Sequence, residues 1–189
     1  MSNGLLKSAR DLGIVYEVVM DEVGFLAFGR SGLNSIGTAN LNGCTVVMVV
    51  SRYGAILAHI PPRPALQVAG DSNIQAKMDQ VTALYHANKQ YFLMEGNNWI
   101  LCAVCQDELA LPAQQKIMQD GLARLGLSHS SITYVAGRSP DDWFPGRGTV
   151  FIDGSGKVPI VYVEDKEVSK GSDWSSYSNP STSTPSNSA

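Results

Sequence analysis

The 189-residue chain has no basic field, no paired-cysteine framework and no apolar run of membrane length. Lysine and arginine number 14 against 17 aspartates and glutamates, a net charge of -3, so nothing marks a surface for nucleic acid or anionic lipid. The cysteines are Cys44, Cys102 and Cys105, an odd count that excludes a disulfide-stapled secreted scaffold. The longest apolar runs, residues 45–50 and 160–163, are strand-sized, far below the roughly 20 residues of a membrane span. The first ten residues carry no signal-peptide apolar stretch, so a reducing cytoplasmic setting with free thiols is expected. GxGxxG, phosphate-loop, HExxH and GxSxG patterns are all missing, so neither a cofactor nor a metal centre is expected.

What is present suits one globular domain: 44% hydrophobic and 16% charged residues. Residues 169–189 are rich in Ser, Thr, Pro and Asn and offer little but Trp174 and Tyr177 to bury, so they are expected to form a flexible tail. The domain then covers residues 1–168. Strand patterns fall at 14–20, 24–29, 44–51, 55–60, 99–104, 132–135, 149–153 and 158–163. Run 44–51 is almost continuously apolar, as in a strand buried on both faces, and with 55–60 it reads as a hairpin around Arg52 and Tyr53. Two helices are signed, one by a Ser72–Gln75 capping box, the other by Pro112 at its start and Gly126 at its end. The tally predicts an α+β layered domain with a β-sandwich-like or mixed-sheet core and about two flanking helices.

Cys102 and Cys105 form a CxxC, but three residues apart on a strand their side chains point to opposite faces. No second ligand pair exists to complete a zinc site, so both are read as buried core cysteines. Cys44 and His59 stand out instead. In a hairpin with two central turn residues His59 opposes Val46, which shares a face with Cys44 two residues along. The diagonal Cβ separation is then somewhat under about 7–8 Å, which the two side chains can close. A free thiol is only about 3% thiolate at pH 7, and an adjacent imidazolium lowers its pKa below neutrality. Gly43 permits close backbone approach, and the amides around Cys44 can donate to an oxyanion. A buried strand cysteine beside a satisfied core histidine fits the same pattern.

Thr38, Cys44 after a polar glycine-containing loop, and a hairpin closing at His59 resemble the catalytic segment of the CheD chemotaxis-receptor deamidases. The Cys-to-His interval resembles still more the deamidase domain of the bacterial cytotoxic necrotizing factors. The Gly-Cys-Thr strand and alanine-histidine close also resemble uncharacterised fungal proteins of the same Cys-His glutamine deamidase superfamily. The resemblance covers about residues 37–61. It implies Cys44 as nucleophile, His59 as base and Thr38 as the residue orienting the imidazole, with Asn40 and Asn42 competing for that last role. Asn42 and Gly43 stand where CheD has a Gly-Ser pair, at the border of the substrate carbonyl.

The expected activity is therefore cysteine-dependent hydrolysis of a carboxamide through a thioester. Its substrate is a protein glutamine side chain or a small amide, with no nucleic-acid or membrane partner. Two other readings stand beside it. One is thiol-dependent acyl transfer or cyclisation in small-molecule biosynthesis, the other a non-catalytic binding module on the same fold.

Overall fold

The computed structural model describes residues 4–63, 70–93 and 97–169. In chain order these form α1 (Leu5–Asp11), β1 (Val15–Glu17), β2 (Glu22–Ala27), β3 (Ser35–Thr38), β4 (Thr45–Ser51) and β5 (Gly54–Ile60). Next come α2 (Gly70–Ala87), β6 (Asn97–Cys105), β7 (Glu108–Leu109), α3 (Pro112–Arg124) and β8 (Ser130–Val135). The series closes with β9 (Val150–Asp153), β10 (Ile160–Val163) and β11 (Lys166–Glu167).

Two sheets result. One is five-stranded in the order β1-β3-β9-β10-β11. The other runs β2-β5-β4-β6-β7, with β8 joined in parallel to β6 after a crossover through α3. All seven residues of β4 and all seven of β5 are buried, because the six-stranded sheet is covered on both faces. Val46, Met48, Val50 and Leu57 face the five-stranded sheet and its Ile36, Val150, Ile152 and Val161. Val47, Val49, Ile56 and Ala58 face Ile74, Met78 and Val81 of α2 and Met118 and Leu122 of α3. Leu6 and Ala9 of α1 pack with Phe151 of the five-stranded sheet as a third cluster. The α+β layered expectation holds, with helices against both sheets of a β-sandwich core.

Several details differ from the sequence reading. α1, β3, β7 and β11 are additional to it; each is short, between two and seven residues, and too brief to show a period. α2 begins at Gly70, so Ser72 lies inside its first turn rather than capping it. α3 starts at Pro112 as expected, and Gly126 follows its C-cap Leu125 in the left-handed conformation, φ 73°. Ser169, assigned to the tail, is buried, and its Oγ accepts the Val161 amide proton at 3.3 Å. The rest of that segment lies outside the described residues. No helix among the described residues is long and apolar enough to cross a membrane.

Candidate functional site

The β4–β5 hairpin turns through Arg52 and Tyr53 with Ser51 opposite Gly54, and this register sets His59 opposite Val46. Val46 faces the gap between the sheets, and opposed residues of an antiparallel pair share a face, so His59 points into that gap as well. From the other sheet, Thr38 ends β3 two residues after Ile36, another residue of the inter-sheet core. The two side chains meet: Thr38 Oγ1 and His59 Nδ1 are 2.6 Å apart and both are fully buried. Among the described residues His59 Nε2 has no hydrogen-bond partner. Cys44 immediately precedes β4, belongs to the same inter-sheet cluster and is 5% exposed.

The loop ahead of Cys44 is held by contacts from far along the chain. Tyr134 of β8 accepts a hydrogen bond from Gly43 N–H at 2.9 Å and donates one to Cys44 C=O, also at 2.9 Å. One phenol thus brackets the Gly43–Cys44 peptide. Gly43 has φ 99°, a conformation that would strain a side chain even though the space around it is open. Exposed Asn42 turns its Oδ1 to the amide of Gly137 at 2.8 Å, and Asn40, also exposed, sits at φ 64°. Of the residues able to orient the imidazole, Thr38 is thus the one in contact with it. Gly43 N–H, one of the amides expected at an oxyanion, is already engaged by Tyr134.

Burial sets the charge state of the pair. His59 is pushed down from 6.5 to about 4 chiefly by desolvation, with the negative charge of Asp21 opposing the shift. Desolvation likewise pushes the Cys44 thiol up, against a weaker opposing hydrogen bond from the Asn42 main chain. Cys44 is therefore favoured as a thiol and His59 as a neutral imidazole, not as the thiolate and imidazolium expected from residue types alone. A charge unpaired in this apolar layer costs far more than the same charge in water.

No family model matches the sequence, and no curated protein matches it either. Among solved structures it is similar to the C-terminal domain of CNFy from Yersinia pseudotuberculosis. The match has a TM-score of 0.42 and 10% identity, and it covers 81% of this chain and 59% of that one.

Two residues that pattern reading passes over are tied to the site. Tyr134 is one. The other is Asp21, whose N–H donates to His59 C=O at 2.9 Å and whose carboxylate pairs with Lys77 of α2 at 3.1 Å. Neither has a local motif; both act across long sequence separations. Among the described residues no cluster of His, Cys, Asp or Glu could hold a metal ion. Cys102 is buried on the helix-facing side of β6, whereas Cys105 is exposed, which corrects the expectation that both are core residues.

A cleft of about 330 Å³ borders the 40–42 loop, with Asn40, Asn42, Val135, Trp143 and Arg147 in its wall. Neither Cys44 nor His59 belongs to that wall. Glu164, also part of it, is held by Arg138 Nη1 at 3.0 Å to both carboxylate oxygens and by Gly148 N–H at 3.1 Å.

Proposed function

We propose that this protein is a cysteine-dependent hydrolase of carboxamides, with Cys44 as nucleophile, His59 as general base and acid, and Thr38 as the residue that fixes the imidazole. The observation that carries this reading is the Thr38 Oγ1–His59 Nδ1 contact of 2.6 Å, made between two sheets, with Nε2 left unpartnered and buried. Buried polar atoms are normally hydrogen-bonded, so an orphaned imidazole nitrogen in the layer to which Cys44 also belongs is a group available to take a proton. The resemblance of the Thr38, Cys44 and His59 segment to Cys-His glutamine deamidases points the same way and suggests a protein glutamine as substrate.

In this mechanism His59 is neutral with Nδ1–H donating to Thr38 Oγ1, which leaves the Nε2 lone pair free to accept the thiol proton. Nε2 takes the Sγ proton as sulfur attacks the carboxamide carbon, forming the C–S bond. The oxyanion is stabilised by the Cys44 amide, since the Gly43 amide is held by Tyr134. Nε2–H then protonates the departing nitrogen, the C–N bond breaks and ammonia leaves a thioester. Water attacks the thioester, giving one proton to Nε2. The C–S bond breaks, the acid is released and the thiol is restored.

The test is incubation with a blocked glutamine peptide, following ammonia release and the mass of Cys44-containing peptide after acid quench. Hydrolysis yields ammonia and a transient acyl adduct on Cys44. The released peptide then carries glutamate; an adduct whose acyl group passes to an added amine rather than to water would instead support acyl transfer, and undiminished ammonia release in Cys44→Ala would remove the thiol from the mechanism.

A further inference from the structure

At the far end of the same hairpin, four turns from both sheets enclose a cleft of about 530 Å³. It lies about 20 Å from Cys44, the length of a seven-residue strand. Its walls come from the end of β2 (Phe28, Gly29 and Arg30), the Arg52–Tyr53 turn, the short helical turn at Gln90 and Tyr91, and the β9–β10 turn at Gly154 and Ser155.

These turns are tied together. Phe28 N–H donates to Tyr53 C=O at 3.0 Å, and Gly154 N–H to Asn34 C=O at 2.8 Å. Arg52 Nε donates to Lys157 C=O at 2.9 Å, joining one sheet to the other. A Cβ at Gly154 would lie 2.4 Å from the Phe28 ring, so only glycine allows this closure. The cleft is a product of the fold.

Its chemistry is specific. Arg30 stacks over the Tyr91 ring at 5.5 Å and, among the described residues, has no carboxylate partner. Arg30 is exposed and lines the cleft, and a guanidinium can stack a ring on each of its two faces. Among the described residues Arg52 uses only Nε, leaving both terminal nitrogens for a bidentate contact. The side chains of Asn34, Gln90 and Ser155 and the Tyr53 hydroxyl line the cleft with no hydrogen bond of their own among the described residues. The carboxylate of the β9–β10 turn, Asp153, is turned to the amide of Ser155 at 2.9 Å. Two guanidiniums match the charge of a phosphomonoester, about -1.5 to -2 at neutral pH, and the volume lies within the roughly 300–1,000 Å³ of small-molecule sites.

We propose that this cleft binds a small aromatic phosphomonoester, the phosphate on Arg52 and the ring on the second face of Arg30. The site is independent of the thiol chemistry. Isothermal titration of the full chain with phenyl phosphate, AMP and O-phosphotyrosine tests it, with inorganic phosphate and adenosine as the halves. At least one aromatic phosphate binds saturably, and each half binds at least about tenfold more weakly. The preferred member of AMP and O-phosphotyrosine identifies the source of the ring. Arg52→Gln and Arg30→Gln each weaken binding about tenfold or more while circular dichroism shows the chain still folded, and Arg52→Lys, which keeps the charge but loses the fork, weakens it too. No saturable binding by any aromatic phosphate, equal binding of inorganic phosphate, or undiminished binding in Arg52→Gln would overturn the proposal.

Discussion

Thr38 Oγ1 lies 2.6 Å from His59 Nδ1, although the residues belong to strands of different sheets. The contact locks the imidazole across the sandwich. In the proposed chemistry Thr38 is a positioning residue, because it acts only through His59. Thr38→Val removes the hydroxyl at nearly constant volume and leaves a buried Nδ1 unsatisfied, at a cost of about 1–3 kcal/mol. It also slows acylation of Cys44 with little change in KM, and Thr38→Ser restores both. Melting curves together with single-turnover kinetics check this; a stability loss with unaltered acylation would make the contact purely structural.

Tyr134 makes a comparable contribution from β8. Tyr134→Phe strips partners from Gly43 N–H and Cys44 C=O, and a loss of about 1–3 kcal/mol is expected in chemical denaturation. The ring remains, so packing is kept. A variant as stable as the parent would show that water replaces the phenol at this peptide.

The pH dependence follows from His59. Its folded-state value is about 4 against 6.5 ordinarily, so between these pH values the unfolded chain binds the proton and the folded one does not. Stability from this group is complete above about 6.5 and is lost as pH falls toward 4, on the order of 3 kcal/mol in all. Denaturant midpoints measured across that window fall with acid in the parent and fall less in His59→Gln. Catalysis that needs neutral imidazole fails on the same side, near pH 4.

The three thiols separate by environment. Cys105 is exposed and labels first with a neutral alkylating reagent, whereas Cys102 is buried, is pushed up to about 11, and hardly labels in the folded protein. Cys102→Ala costs on the order of 1 kcal/mol and Cys105→Ala lies within about 0.5. Neither alters activity; Cys44→Ala abolishes it while the fold persists. Peptide mapping after timed alkylation reads the order.

The hairpin was legible because two continuous apolar runs flank a turn of two residues, which sets register and therefore the His59–Val46 pairing. The same reasoning put Cys102 and Cys105 on opposite faces but missed that β6 runs out of cover at its end, where Cys105 meets solvent. β3 escaped notice since Ser35-Ile36-Gly37-Thr38 has only one large apolar residue; the two sheets closing over it, not propensity, make it a strand. The residue types of Cys44 and His59 suggested a thiolate beside an imidazolium, whereas packing between the sheets buries both and favours neutral groups. Tyr134 and Asp21 became visible only through contacts that no local spacing encodes.

The rate of Cys44 alkylation by iodoacetamide at pH 7, compared between the parent, His59→Ala and His59→Gln, tests the proposed pair without knowledge of the substrate. Circular dichroism and melting curves verify that each variant is folded. If Nε2 accepts the thiol proton, the parent labels at Cys44 about tenfold or more faster than either folded variant, the scale on which a positioned base acts. Equal rates in all three, with Cys44 no more reactive than buried Cys102, would contradict the Cys44–His59 dyad.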